Sequence, residues 1–377
     1  MPTGIRFLIS AIRFPETYFL EASRQSRKGP FGRRKECAAQ HFLETSSNCH
    51  WYTRCTMLQK PRIWLSVLLA FPLASLTVRA QKPTPGSVIS GQSIYSLTQQ
   101  LLLVAPKRFN GSPGHLAVEI FIKDHFRTEA AKGDLIVDEF TADTPVGMQT
   151  MRNYMVRYPG KKDGIIVLAS HYETNYPLKD VNFIGANDGA CTSALLIALG
   201  QYLRAHPPQG YSIWLVFDDG EEAVANPPYD PSQWASNNSN NLYGPRHLAA
   251  KWYNDGTLKR IKAFILADMI GERDLNILEE DNSTAWLKDD LRRAAVITHH
   301  TANVFKTQGA EDDDHSPFIK RGVPSIDIID PDYGPHDAAH PDGYHHTPED
   351  TIDKISPQSL QISADLFLET VRLIKQR

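Results

Sequence analysis

Four short, nearly unbroken apolar runs, separated by stretches of helical spacing, are the feature that most constrains this chain. They are Ile165–Ser170 (IIVLAS), Tyr211–Phe217 (YSIWLVF), Ile261–Ala267 (IKAFILA) and Ser325–Ile329 (SIDII). A strand with one wet face alternates polar and apolar residues, whereas a strand that is apolar throughout is covered on both faces. Apolar residues recur at helical spacing in Ala190–Ala205, Tyr243–Tyr253, Trp286–His300 and Gln358–Lys375. Buried strands alternating with helices predict a three-layer αβα sandwich around a sheet that is parallel in its middle. Further upstream, Ile94–Val104 and Gly114–Arg127 read as helices, split by the turn Gly111-Ser112-Pro113-Gly114. Leu135–Phe140 and Met148–Tyr158 alternate like strands, so antiparallel pairs are expected at one edge of a mixed sheet. Neither a repeat nor a low-complexity linker interrupts the chain after Pro85, and residues 81–377 read as one α/β domain.

The first eighty residues differ. Residues 1–56 are rich in Arg, Lys, Ser and His, lack sustained periodicity, and hold Cys37, Cys49 and Cys55. Met57, Lys60 and Arg62 then precede the apolar run Ile63–Leu76, and Val78-Arg79-Ala80 places small residues before Gln81. A basic start, a short apolar stretch and a small-residue site make a secretory signal. The run is short for a membrane span, and Pro72 interrupts it. We therefore read 1–56 as an unstructured upstream extension, 57–80 as a signal peptide (or an anchor, if uncut) and 81–377 as the single folded domain. That reading predicts an exported protein, periplasmic or extracellular, touching a membrane only through an uncleaved anchor. Downstream of residue 80 only Cys191 remains, so no disulfide within that part is expected. A net charge of −3 gives no electrostatic case for nucleic acid.

In open α/β sheets, ligands bind beyond the carboxyl ends of the strands. Here those ends carry His171-Tyr172-Glu173, Asp218-Asp219-Gly220-Glu221-Glu222 and Asp268, and the fourth run leads to a loop with His336, His340, His345 and His346. Asp188, in Gly185-Ala186-Asn187-Asp188-Gly189, sits where the first strand's loop enters its helix. Any one of these has a bland reading: an N-cap, a solvated turn, a packed imidazole. Together on one rim, they offer the nitrogen and oxygen donors that zinc takes in a catalytic site. Glu221 and Glu222 can divide the labour, one binding metal and the other moving protons.

With these residues in place the chain resembles the zinc aminopeptidases of clan MH, of the aminopeptidase Y type. Within them it is most similar to the glutaminyl-peptide cyclotransferases. The likeness runs from about Phe109 to the C-terminus, through FNGSPG (109–114), ASHYETN (169–175), GANDGA (185–190), LVFDDGEEA (215–223), LYGPRHLAAK (242–251), LADMIG (266–271), DDDHSPFIKRGVP (312–324) and HTPEDT (346–351). The resemblance implies a zinc-exopeptidase fold and peptide or protein N-termini as substrates. For a cyclotransferase it implies one Zn2+ on Asp188, Glu222 and His346, with Glu221 as acid/base and Asp268 and Asp313 in its hydrogen-bond network. For a dizinc aminopeptidase it implies two ions on His171, Asp188, Glu222, Asp268 and His346, with Asp188 bridging. Every member of both sets is present, so the flanking motifs alone favour conversion of N-terminal Gln to pyroglutamate.

Some positions depart from the family pattern. Asp327 stands where many cyclotransferases have His, and Glu173 where both groups commonly have Asp. The stretch after the Glu pair is long, and within it Trp234 is a candidate wall of the substrate pocket. The alternatives are the dizinc aminopeptidase and, more remotely, an inactive binding protein on the same scaffold. Sequence leaves the oligomeric state open.

Overall fold

The computed structural model describes residues 88–226, 240–341 and 343–376. The chain runs through α1 (Gly91–Val104), α2 (Pro113–His125), α3 (Arg127–Lys132), β1 (Leu135–Thr144), β2 (Gly147–Tyr158), β3 (Lys162–His171), α4 (Cys191–Ala205) and β4 (Tyr211–Asp218). It continues through α5 (Tyr243–Asn254), β5 (Ile261–Asp268), β6 (Ile277–Glu280), α6 (Ala285–Ile297), β7 (Val304–Gly309), α7 (Ser316–Ile319), β8 (Ser325–Ile329) and α8 (Pro357–Ile374). Local chemistry sets the starts of the helices that frame the molecule. Ser112 accepts a hydrogen bond from the His115 N–H at the start of α2, and Ser356 one from the Ser359 N–H at the start of α8. In both, Pro follows the cap, where a missing N–H costs nothing.

Six strands form the main sheet in the order β1-β2-β4-β3-β5-β8. The β1–β2 and β2–β4 pairs are antiparallel, and β4–β3, β3–β5 and β5–β8 are parallel. The mixed, centrally parallel sheet expected from the sequence is therefore present. Its apolar runs split by parity between two cores. Ile166, Leu168, Ile213, Leu215, Phe217, Ala263 and Ile265 face α1, α4, α6 and α8. Ile165, Val167, Ala169, Val216, Phe264 and Leu266 face Leu248 and Trp252 of α5 and Phe318 of α7. Strand periodicity sends successive side chains to opposite faces, so a strand covered on both must be apolar at every position.

β4 and β5 lie on either side of β3, and the helices leading into them, α4 and α5, cover opposite faces. That arrangement opens a crevice at the carboxyl ends of these strands.

A second, two-stranded parallel sheet, β6–β7, was not foreseen. β6 has four residues, and β7 (VFKTQG) is largely exposed, so neither carries the apolar run by which the other strands announce themselves. The third late helix also ends earlier than its spacing predicts, at Ile297, with His299 at φ 63° just beyond. Trp234 and all of residues 1–80 lie outside the described residues.

Candidate metal centre

His171 ends β3 and Asp268 ends β5; Glu221 and Glu222 follow β4 by three and four residues. Asp188 reaches the same place from a kinked turn, Ala186–Ala190, that opens α4. There Asp188 (φ −86°, ψ 95°) and Gly189 (φ 85°) leave helical geometry. Glycine is required at 189, because a Cβ there would lie 2.7 Å from Cε1 of His171. His346 arrives on the loop after β8, itself at φ 53°.

These side chains converge. His346 Nε2 lies 3.1 Å from Glu222 Oε2 and 3.4 Å from Asp188 Oδ2. On the other side of Asp188, His171 Nε2 lies 3.1 Å from Oδ1, and 3.3 Å from Asp268 Oδ1. The two oxygens of Asp188 thus join two donor sets. Glu221 places an oxygen within 4.8 Å of carboxylate oxygens of Asp313 and Asp314. Asp188, Glu221, Glu222, Asp268, Asp313, His345 and His346 line a cleft of about 210 Å³. His171, 1% exposed, lies beneath it.

Of the sequence candidates, His171, Asp188, Glu221, Glu222, Asp268, Asp313 and His346 are brought together, and Trp234 lies outside the described residues. His336 and His340 do not join them: they pair locally with Asp332 and Asp337. Asp327 is buried on β8, 3.7 Å from Nδ1 of His315, and does not line the cleft.

Two further residues, Asn175 and Phe183, escaped sequence reasoning. Asn175 donates to Glu222 Oε2 at 2.9 Å, and the Glu222 N–H donates to Glu173 Oε1 at 3.1 Å. Phe183 sets its ring at 88° to that of His346, with centroids 5.8 Å apart. Asn175 belongs to the ASHYETN motif, which was the available signal; Phe183 had none.

Charge in the cleft is lopsided. Burial opposes ionisation of Asp188, but His171 and His346 hold it well below the usual carboxylate range. Burial works against a charged His346 too, yet Glu222 and Asp188 prevail and raise it to about 10. Burial lifts Glu222 to about 7, and burial with the neighbouring Asp313 pushes Glu221 well up.

The donor set fits zinc. A tetrahedral ion with bonds of about 2.0–2.1 Å holds its ligand atoms roughly 3.3 Å apart, close to the distances His346 Nε2 keeps to Glu222 and Asp188 and His171 Nε2 keeps to Asp188 and Asp268. Asp313 Oδ2 and both carboxylate oxygens of Asp314 are buried without a hydrogen-bond partner, and neither Lys nor Arg lines the cleft among the described residues. Buried carboxylates in that condition call for a cation.

The model of peptidase family M28 matches residues 153–371. A solved structure of a glutaminyl cyclase from an Acidobacteriales bacterium is 62% identical, covers 79% of this chain and 99% of its own, and superposes with a TM-score of 0.74. A glutaminyl-peptide cyclotransferase-like protein of Bos taurus is 32% identical over 59% of this chain; the match spans 62% of that relative's length. A glutaminyl-peptide cyclotransferase of Drosophila melanogaster is 27% identical over 69% of this chain and 76% of its own.

Proposed function

We propose that this chain, which belongs to peptidase family M28, is a glutaminyl-peptide cyclotransferase converting N-terminal Gln of peptides to pyroglutamate with one zinc ion. The observation that carries cyclisation over hydrolysis is the 62% identity to a chain called glutaminyl cyclase, 99% of which is covered. One ion is supported by the placement of the two donor sets: Asp188, Glu222 and His346 all line the cleft, whereas His171 does not.

Zinc held by Asp188, Glu222 and His346 supplies a Lewis acid for the side-chain carbonyl of the substrate Gln. The chain's own residues do the rest. Glu221, beside Glu222 and facing the cleft, takes a proton from the α-amine as its nitrogen closes on the amide carbon. It then returns a proton to the departing amide nitrogen, so that ammonia leaves and no water is consumed. Burial and the neighbouring Asp313 push the Glu221 carboxyl well up, which favours its protonated form. Asp313 and Asp268, on the same wall, fix the geometry of that exchange. Trp234 remains our candidate for a pocket wall, and the leader-like segment 57–80 our basis for export. No helix among the described residues is long and apolar enough to cross a membrane.

The dizinc aminopeptidase is the second reading, favoured by the zinc-like spacing of His171, Asp188 and Asp268. A parallel assay on Gln-initiated and Leu-initiated peptides, with metal content measured, separates the two. We expect cyclisation of the Gln-peptide, one zinc per chain, and substantial activity in His171→Ala. Cleavage of the Leu-peptide, two zincs and an inert His171→Ala would overturn it.

A further inference from the structure

Two buried charged side chains outside the cleft grip the turn that carries Asp188, one on its carbonyls and the other on its N–H groups. Arg108 is fully buried. Its Nη2 donates to the carbonyl oxygens of Gly185 (3.0 Å) and Asp188 (3.3 Å), its Nη1 to Ile184 (2.7 Å) and Ala105 (3.4 Å), and its Nε to Tyr172 (2.9 Å). A guanidinium with five backbone acceptors is an unusual use of a charge that is costly to bury. Asp350, also fully buried, takes the opposite side. Its Oδ1 accepts from the Asn187 N–H (2.8 Å) and the Tyr333 O–H (2.8 Å), and its Oδ2 from the Asp188 N–H (3.1 Å).

The turn needs this hold. Gly185 has φ 53° and Gly189 φ 85°, and Asp188 between them is not helical, so helix continuity alone does not define the Asp188 side chain. Asp350 lies four residues after His346 on the same segment. One carboxylate therefore ties the turn bearing Asp188 to the loop bearing His346.

We propose that Arg108 and Asp350 are positioning residues of the metal centre: they clamp the Asp188 peptide from both sides and hold Asp188 and His346 at ligand spacing. The proposal rests on the assignment of those two residues as zinc ligands. Partners beyond the ligands commonly govern metal affinity by 10–100-fold.

The test is zinc affinity by chelator competition, and the visible absorption of the cobalt-substituted protein, in full-length Arg108→Lys, Asp350→Asn and Asp188→Ala. We expect Arg108→Lys and Asp350→Asn to fold, to bind zinc about 10–100-fold more weakly, and to shift the cobalt bands. Circular dichroism melts in chelator check the fold independently of metal. Should Arg108→Lys not fold, Asp350→Asn and the milder Tyr333→Phe, which removes one O–H donated to Asp350, carry the decision. Folded variants with affinity within twofold of the parent and unshifted cobalt bands overturn the clamp. Retention of zinc by Asp188→Ala overturns the ligand assignment instead.

Discussion

At the scale of single residues, adjacent His345 and His346 should behave differently although their rings lie 3.9 Å apart. His346 Nε2 reaches both Asp188 and Glu222, whereas His345 Nε2 stands 3.9 Å from Asp188 and its side chain is 39% exposed. His346→Ala should lose most bound zinc and His345→Ala should keep it; equal loss in both would refute the assignment. Glu222 and Asp188 hold the His346 proton up to about 10, against burial. A zinc ion must displace that proton, so its apparent affinity should rise with pH through the neutral range. Calorimetry in buffers of different ionisation enthalpy measures the proton released. Glu221→Gln should lower turnover at least about 10²-fold while zinc content stays unchanged; retained turnover would remove Glu221 from the mechanism. The side chains that meet in the cleft were legible in the sequence because residue type at a strand end carries chemistry. Arg108 and Asp350 were not, because what they hold is backbone, and a backbone acceptor has no letter in the sequence.

At the scale of elements, the buried strands were legible and the small sheet was not, for one reason. Burial on both faces writes an apolar run into β3, β4 and β5, while β7 stands largely in solvent and needs no such run. The loop from β8 to His346 was also opaque. Its moorings are polar: Asp330 Oδ2 accepts from the Asn276 N–H at 2.6 Å, and Glu272 Oε1 from the Gly334 N–H at 2.8 Å. Burial, with Glu272 nearby, raises Asp330 to about 8; burial, with Asp274 and Asp332, raises Glu272 to about 7. Both carboxyls keep in the folded state a proton that the unfolded chain releases near pH 4. Their contribution to stability is therefore fully present below about pH 4 and lost as pH rises through about 7 and 8. Melting temperature should fall between about pH 5 and pH 8, and Asp330→Asn should fall less over that interval. A variant whose melting curve tracks the parent at every pH would show that Asp330 does not titrate there.

At the scale of the whole molecule, the catalytic domain should be separable from most of what precedes it, up to a limit set by α1. The first described ties to the rest of the fold are made by Ile89 and Gly91: Gln361 of α8 donates to the Ile89 carbonyl and accepts from the Gly91 N–H, both at 2.8 Å. Gly91 packs so closely on α8 that a Cβ there would lie 2.0 Å from the Pro357 carbonyl oxygen. Ile94 and Leu101 are fully buried against the same core as α4 and α8. The end of α1 leads directly to Arg108 and so to the turn of Asp188. A chain beginning at residue 88 keeps every one of these contacts, whereas one beginning at residue 106 strips a helix from the core and leaves Arg108 at a loose end. Tolerance of truncation follows such burial and hydrogen bonding rather than position in the sequence. Removal of 1–87 should leave the melting temperature within a few degrees, and turnover on a Gln-peptide within about twofold, of the full chain, whereas removal of 1–105 should abolish the cooperative melt and the turnover. Comparable activity in the two truncations would mean that α1 does not brace the site, and loss of activity in the shorter truncation would place part of the machinery upstream of residue 88.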